Sequence, residues 1–265
     1  MLLHIIADYG QGDLAFAEVV QRIRMYLPDA EPVLTPVPAF STLAAGFCVA
    51  QLGLNEAPTG TIIYHNVAPR RDITKAREDN AGERLAYVRL STGVRVIGVN
   101  AHHTFSFLRD VAEELLWASV SAEGSQFRSR DLFPQAAAAI ALGQPDALGD
   151  EIDRKQIPAV PENRIAYVDG YGNLKTTIKF NAKEHKKRSA TRVRVRIGAR
   201  ELEAILTDGN FAVEHGQMAF APGSSGWTLG NAQTRWMELF LRGGNAWEIF
   251  GRPEIGESIE IAEVK

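Results

Sequence analysis

The chain is short of sulfur chemistry. Among its 265 residues Cys48 is the single cysteine, so no internal disulfide can form and the sequence fits a reducing compartment. Cys48 sits in the stretch STLAAGFCVAQLGL, with no charged neighbour to activate a thiolate, and reads as a small buried side chain. No apolar run approaches the ~18–20 residues of a membrane span. The first residues lack the cationic region and long apolar stretch of a signal peptide, so the expectation is a cytoplasmic protein with no membrane partner. Excess charge is also missing. A net charge of −3 gives no reason to expect a nucleic-acid partner. The one basic knot, KEHKKR at 183–188, reads as a solvated loop. Internal repeats and low-complexity tracts are absent.

Metal-ligand spacing is lacking too. His102 and His103 are adjacent in NAHHT, and neighbouring side chains diverge on a strand or helix, so no metal site is expected. The segment GQGDLAFAE has two glycines without the third that a dinucleotide fingerprint requires.

What is present is a change of rhythm. Apolar strand-like runs at 2–7, 32–37, 61–67, 85–90 and 94–100 alternate with amphipathic stretches at 13–27, 41–52, 104–120 and 131–142. Pro28 and Gly53 end the first two helices, while Asp131 and Gly143 bracket the last as N-cap and C-terminal stop. This alternation predicts an α/β domain over 1–156, a mixed or parallel sheet covered by helices. IPAVPEN at 157–163 reads as a linker. Beyond it, period-two strands such as TRVRVRIG and ESIEIAEV predict a small β-barrel or sandwich over 164–265.

In such a sheet, ligands gather beyond the carboxyl ends of the strands. Polar segments leave the predicted strands at 8–13 (DYGQGD), 64–72 (YHNVAPRRD), 100–104 (NAHHT) and 127–131 (FRSRD); YVDGYGNL at 167–174 opens the second domain. Asp8 can bind vicinal hydroxyls, since a carboxylate accepts two hydrogen bonds, or it can serve an Asx-type turn. Asp13 suits a ligand or a helix N-cap. GSSG at 223–226 reads as an anion-binding turn or a plain glycine turn.

Taken together, these segments resemble the S-adenosyl-L-methionine hydroxide adenosyltransferases, relatives of the fluorinating and chlorinating enzymes. The family's TDFG is matched by ADYG at 7–10, its GRDIF-PAAAHLA by SRDLFPQAAAAIALG at 129–143, and its IDxFGNLITNI by VDGYGNLKTTI at 168–178. Its SSG turn is matched at 223–226, and its final GSAAELLG strand-to-helix segment lies within LFLRGGNAWEIFG at 239–251. The matches are collinear over nearly the whole chain.

The resemblance implies an N-terminal α/β domain and a C-terminal β-barrel, assembled as a homotrimer with sites between subunits. It implies displacement at ribose C5′ of S-adenosyl-L-methionine, giving adenosine and L-methionine when water attacks, with no cofactor. Asp8 would hold the ribose hydroxyls and Asp13 would face the methionine end. Phe40 would wall the ribose pocket. Asp169, Tyr171 and Asn173 fall on the element that contacts methionine and adenine, and Ser224 and Ser225 on the turn near the methionine carboxylate.

Departures are concentrated where the family activates water. VVDPGVGSxRR reads IIYHNVAPRRD, with His65 in the aspartate's place and Arg70 or Arg71 for the arginine. FHGRD reads FRSRD, so Arg128 replaces the histidine, and Ser129 stands where halogenating relatives carry a serine or glycine. PDNG is replaced by VNAHH, and WTLGNAQT at 227–234 interrupts the segment after SSG. His65, with an ordinary pKa near ~6.5, is then the expected general base. The alternatives are a non-catalytic adenosyl-binding homologue and a halide-using transferase.

Overall fold

Apolar residues at alternate positions make the first strand. β1 (Leu2–Ala7) sends Leu3, Ile5 and Ala7 to one face of a sheet and Ile6 to the other. In the computed structural model, which describes residues 1–69, 83–120, 127–188 and 190–264, the chain divides into two compact units, Met1–Ala159 and Val160–Lys265. Each contains a seven-stranded mixed sheet.

The first sheet is ordered β2 (Glu31–Pro36), β1, β3 (Ile62–Asn66), β5 (Arg95–Val99), β4 (Leu85–Arg89), β6 (Glu114–Ala118), β7 (Leu148–Glu151). β2, β1, β3 and β5 run parallel, and the remaining pairings are antiparallel. Local residues start or stop three of the helices. Asp13 Oδ1 accepts the Ala15 N–H at 2.8 Å and caps α1 (Leu14–Tyr26). Ser41 Oγ accepts the Ala44 N–H at 3.4 Å and caps α2 (Thr42–Gly53). Gly143, at φ 65°, closes the helix that ends at Ala141, in the left-handed conformation glycine adopts freely.

Two helix expectations for this unit are corrected. The amphipathic run 104–120 is not a helix. Mixed i+3 and i+4 turns bury Phe105 and Leu108, and the chain then straightens into β6 between β4 and β7. Sheet pairing supplied by distant strands outweighs the helical periodicity. The 131–142 segment is broken into α3 (Arg128–Asp131) and α4 (Phe133–Ala141), and Asp131 pairs with Arg130 at 2.7 Å instead of capping α4. Pro134 near the start of α4 fits the new helix because its missing N–H has no acceptor there. Helices α1 and α4 share a core with Ile5, Ile62, Tyr64 and Ile97 on one face, while α2 lies along β3 and β1.

The second sheet is ordered β14 (Ile259–Glu263), β10 (Arg192–Ile197), β11 (Arg200–Leu206), β12 (Met218–Leu229), β13 (Ala232–Leu241), β9 (Leu174–Lys179), β8 (Ile165–Val168). Only β11 and β12 are parallel. It forms a half-barrel, and the chain just ahead of β8 is tied to the chain just ahead of β14 by the isolated Arg164–Ser258 bridge and by Ile165 N–H to Glu257 O at 3.0 Å. The basic knot is helical, not a loop. α5 (Ala182–Arg188) is started by Asn181 Oδ1, which accepts the Lys183 N–H at 3.1 Å, and His185 is buried against Phe180. A short α6 (Ala246–Ile249) follows β13. Among the described residues no helix is long and apolar enough to cross a membrane.

Candidate functional site

The carboxyl ends of β1 and β3 bring their polar residues together because the two strands are parallel and in register, Ala7 opposite Asn66. Asp8, half-buried just past β1, accepts the Phe40 N–H on Oδ2 at 2.9 Å. Phe40 adopts a left-handed φ of 63°, which turns its backbone N–H toward that carboxylate ahead of α2. The contact shown is made by the Phe40 backbone.

Next to Asp8, the Tyr9 hydroxyl shares a hydrogen bond of 2.7 Å with Ser129 Oγ and accepts one from Asn66 Nδ2 at 3.0 Å. Tyr64 donates its hydroxyl to the Ser129 carbonyl at 2.9 Å. The Tyr9 ring is wedged edge-on between Phe16 and Phe127. Ser129 is 4% exposed, and burial, followed by the neighbouring Tyr9, pushes the Tyr64 phenol well above its usual range. The result is a fixed cluster of hydroxyl and carboxamide groups that begins at the residue after Asp8.

Period-two alternation on β3 decides which residues join it. Ile62, Tyr64 and Asn66 face α1 and α4, so His65 faces the other way. There it is fully buried, edge-on to Phe105 at 4.9 Å, with neither ring nitrogen hydrogen-bonded. Burial holds its pKa down at about 3. A sealed neutral imidazole on the far face is poorly placed to take a proton from water in the Tyr9–Ser129 cluster.

Of the other expected residues, Asp13 is exposed and serves as the α1 N-cap. Arg128 lies over the Phe133 ring at 5.1 Å and donates to the Glu83 carbonyl at 3.5 Å. Arg70 and Arg71 lie outside the described residues. His102 and His103 touch ring to ring at 4.1 Å, and His103 Nδ1 pairs with Ser106 Oγ. Among the described residues no three groups are arranged to hold a metal ion.

In the second unit the expected element is an ordered turn. Asp169 Oδ1 accepts the N–H groups of Tyr171 at 2.9 Å and Asn173 at 3.1 Å, and Oδ2 accepts Asn173 Nδ2 at 3.0 Å. Tyr171 projects from its tip, 82% exposed. The GSSG segment is not a turn. It lies inside β12, where two extra residues between Pro222 and Gly226 form a bulge against β13. Ser224 is exposed, whereas Ser225 is buried and bonded to Glu238. WTLGNAQT forms the end of the β12–β13 hairpin.

Two solved structures share this architecture. One is the crystal structure of an uncharacterized conserved protein from Thermotoga maritima, at TM-score 0.77 and 18% identity, covering 98% of this chain and 100% of that one. The other is that of a conserved hypothetical protein from Thermus thermophilus, at TM-score 0.66 and 19% identity, covering 98% of each. The likeness is one of fold. No protein-family model and no curated protein matches the sequence.

Sequence reasoning missed Tyr9, Tyr64 and Asn66 in the first unit, and Lys175 and Glu238 in the second. The alternation of β3 was the available signal for the first group: any residue sharing a face with Ile62 had to be 64 or 66, not 65. Nothing local marks Glu238, whose partners lie on another strand and in the β12 bulge.

Proposed function

We propose that this chain binds S-adenosyl-L-methionine and catalyses displacement at ribose C5′ by water, giving adenosine and L-methionine. The observation that carries the reading is the Asp8 carboxylate, fixed just past the carboxyl end of β1 by the Phe40 N–H, one residue ahead of Tyr9 and its bonds to Asn66 and Ser129. A carboxylate held this way can accept both ribose hydroxyls, which orients C5′ toward the cluster.

The chemistry asks little of the protein. Water oxygen bonds to C5′, the C5′–S bond breaks with its electron pair going to sulfur, and methionine departs as a neutral thioether while a proton passes to solvent. The sulfonium is already a good leaving group, so catalysis rests on positioning the nucleophile in line and stripping its water. In this reading the hydroxyls of Tyr9 and Ser129 position that nucleophile, and His65 takes no part. The transfer is redox-neutral and is assigned no cofactor. Assembly as a homotrimer, with sites between subunits, completes the proposal, and light scattering that reports a monomer at micromolar concentration removes that part.

A second reading, with halide as nucleophile, is favoured by the makeup of the cluster: hydroxyl and amide groups can solvate a small anion without needing a base. One experiment separates the readings. The purified protein is incubated with S-adenosyl-L-methionine, with and without chloride, and the products are resolved by chromatography alongside calorimetry with adenosine. Adenosine plus methionine supports hydrolysis, and a chlorinated nucleoside supports the second reading. Binding without turnover leaves an adenosyl-binding homologue, and no binding of either compound overturns the proposal.

A further inference from the structure

The second unit contains a buried charge that the proposed chemistry does not use. Glu238, on β13, is 1% exposed. Its Oε1 accepts the Ser225 N–H at 3.1 Å and the Ser225 hydroxyl at 2.5 Å. Its Oε2 accepts from Lys175 Nζ at 2.9 Å, and the same ammonium lies 3.6 Å from Asp169 Oδ2. That oxygen also receives Asn173 Nδ2. A continuous polar path therefore runs from the β12 bulge to the Asn173 side chain.

The fold is shaped around this path. The bulge between Pro222 and Gly226 wraps the Ser225 N–H onto Glu238. Gly223 leaves room for the carboxylate, since a Cβ there would stand 1.8 Å from Glu238 Cδ. Desolvating a carboxylate and an ammonium is costly and is only partly offset by their attraction, so such a pair is a poor source of stability. What it does supply here is position.

We infer that Lys175, held by Glu238, which Ser225 anchors in turn, is a positioning residue that fixes the Asn173 carboxamide through Asp169 and so sets nucleobase choice at this turn. A carboxylate only accepts hydrogen bonds, so Asp169 determines which way the carboxamide faces: Nδ2 inward, Oδ1 outward. The remaining Nδ2 hydrogen and Oδ1 then form an adjacent donor and acceptor. They complement a 6-aminopurine, whose edge pairs an N–H donor with a ring-nitrogen acceptor. A 6-oxopurine presents an acceptor where the amino group would donate, and is mismatched. The choice of ligand rests on the adenosyl reading above, whereas the relay itself does not.

The test compares adenosine with inosine by calorimetry on the full chain. Wild type is expected to prefer adenosine by about tenfold, the scale of one or two hydrogen bonds. Lys175→Met should shrink that preference toward unity and Lys175→Arg should restore it. A merely structural loss would weaken both nucleosides alike. Because Lys175→Met leaves the buried Glu238 without its ammonium partner, the Lys175→Met/Glu238→Gln double variant is measured as well. An unchanged adenosine-to-inosine ratio in that folded double variant overturns the inference.

Selective labelling of asparagine with nitrogen-15 gives a readout that needs no ligand. The Asn173 side-chain amide signals should shift and lose exchange protection in the double variant. If wild type binds neither nucleoside, the adenosyl reading fails, and these signals decide the relay alone. Movement supports it, and unmoved signals overturn it.

Discussion

The Tyr9 hydroxyl meets Ser129 Oγ at 2.7 Å across 120 residues of sequence. This bond ties the loop after β1 to α3, and Asn66 on β3 braces it from a third segment. The loop that carries Asp8 is thereby held in one conformation before any ligand arrives, which lowers the ordering cost of binding.

Tyr9→Phe tests that brace. The ring keeps its packing on Phe16 and Phe127 while the hydroxyl is lost, leaving Ser129 and Asn66 without a shared partner. The fold should lose about 1–2 kcal/mol, the cost of stranding partly buried polar groups, read as a lower urea midpoint. If the proposed transfer occurs, turnover should fall more than affinity. A variant matching wild type in both would remove the cluster from the mechanism.

Asp8→Ala addresses the ribose. Removing a charged acceptor should weaken adenosine and S-adenosyl-L-methionine by about 2–3 kcal/mol, measured by calorimetry. Adenine, which has no ribose, should show no such loss. Equal weakening of all three compounds would point to a disturbed loop, not a lost hydroxyl contact.

Gly98 and His65 form a size-matched pair across β5 and β3. A Cβ at Gly98 would lie 2.1 Å from His65 Cδ2 in a fully buried site. Gly98→Ala should cost about 1–3 kcal/mol through overpacking. Combining it with His65→Ala should cost less than the two single changes added together, since the new methyl group then enters the space left by the imidazole. Additive losses in the double-mutant cycle would show that the two do not interact.

Acid stability should report the same imidazole. Its folded pKa is depressed from 6.5 to about 3 by burial, so below 6.5 the unfolded chain binds a proton that the folded chain refuses. Stability from this group is complete above pH 6.5 and is lost as pH falls toward 3, by up to roughly 1.4 kcal/mol per pH unit. His103, pushed to about 4 by burial and then by His102, acts in the same direction. His65→Leu should flatten the slope of stability between pH 6 and 4 in denaturant titrations, and an unchanged slope would contradict the burial argument.

Residues whose partners are near neighbours leave a local record. Asp13, read as a candidate N-cap, accepts the N–H two residues on, whereas the Ser41 cap and the turn ordered by Asp169 went unread although their partners are equally close. Alternation and strand-helix rhythm located most strands, because burial of one face leaves a period in the sequence that survives without knowledge of the partner. The sequence by itself therefore determined the two kinds of unit and the cap that Asp13 places on α1. Tertiary structure decided the rest. It made 114–118 a strand, since β4 and β7 offered backbone partners that no local pattern reveals. It placed Tyr64 toward Ser129 and turned His65 away, a choice set by which face of β3 meets α1 and α4. It also joined Lys175 to Glu238 across 63 residues, through the register of β9 on β13. Contacts of that span depend on strand order and packing, and spacing along the chain carries no record of either.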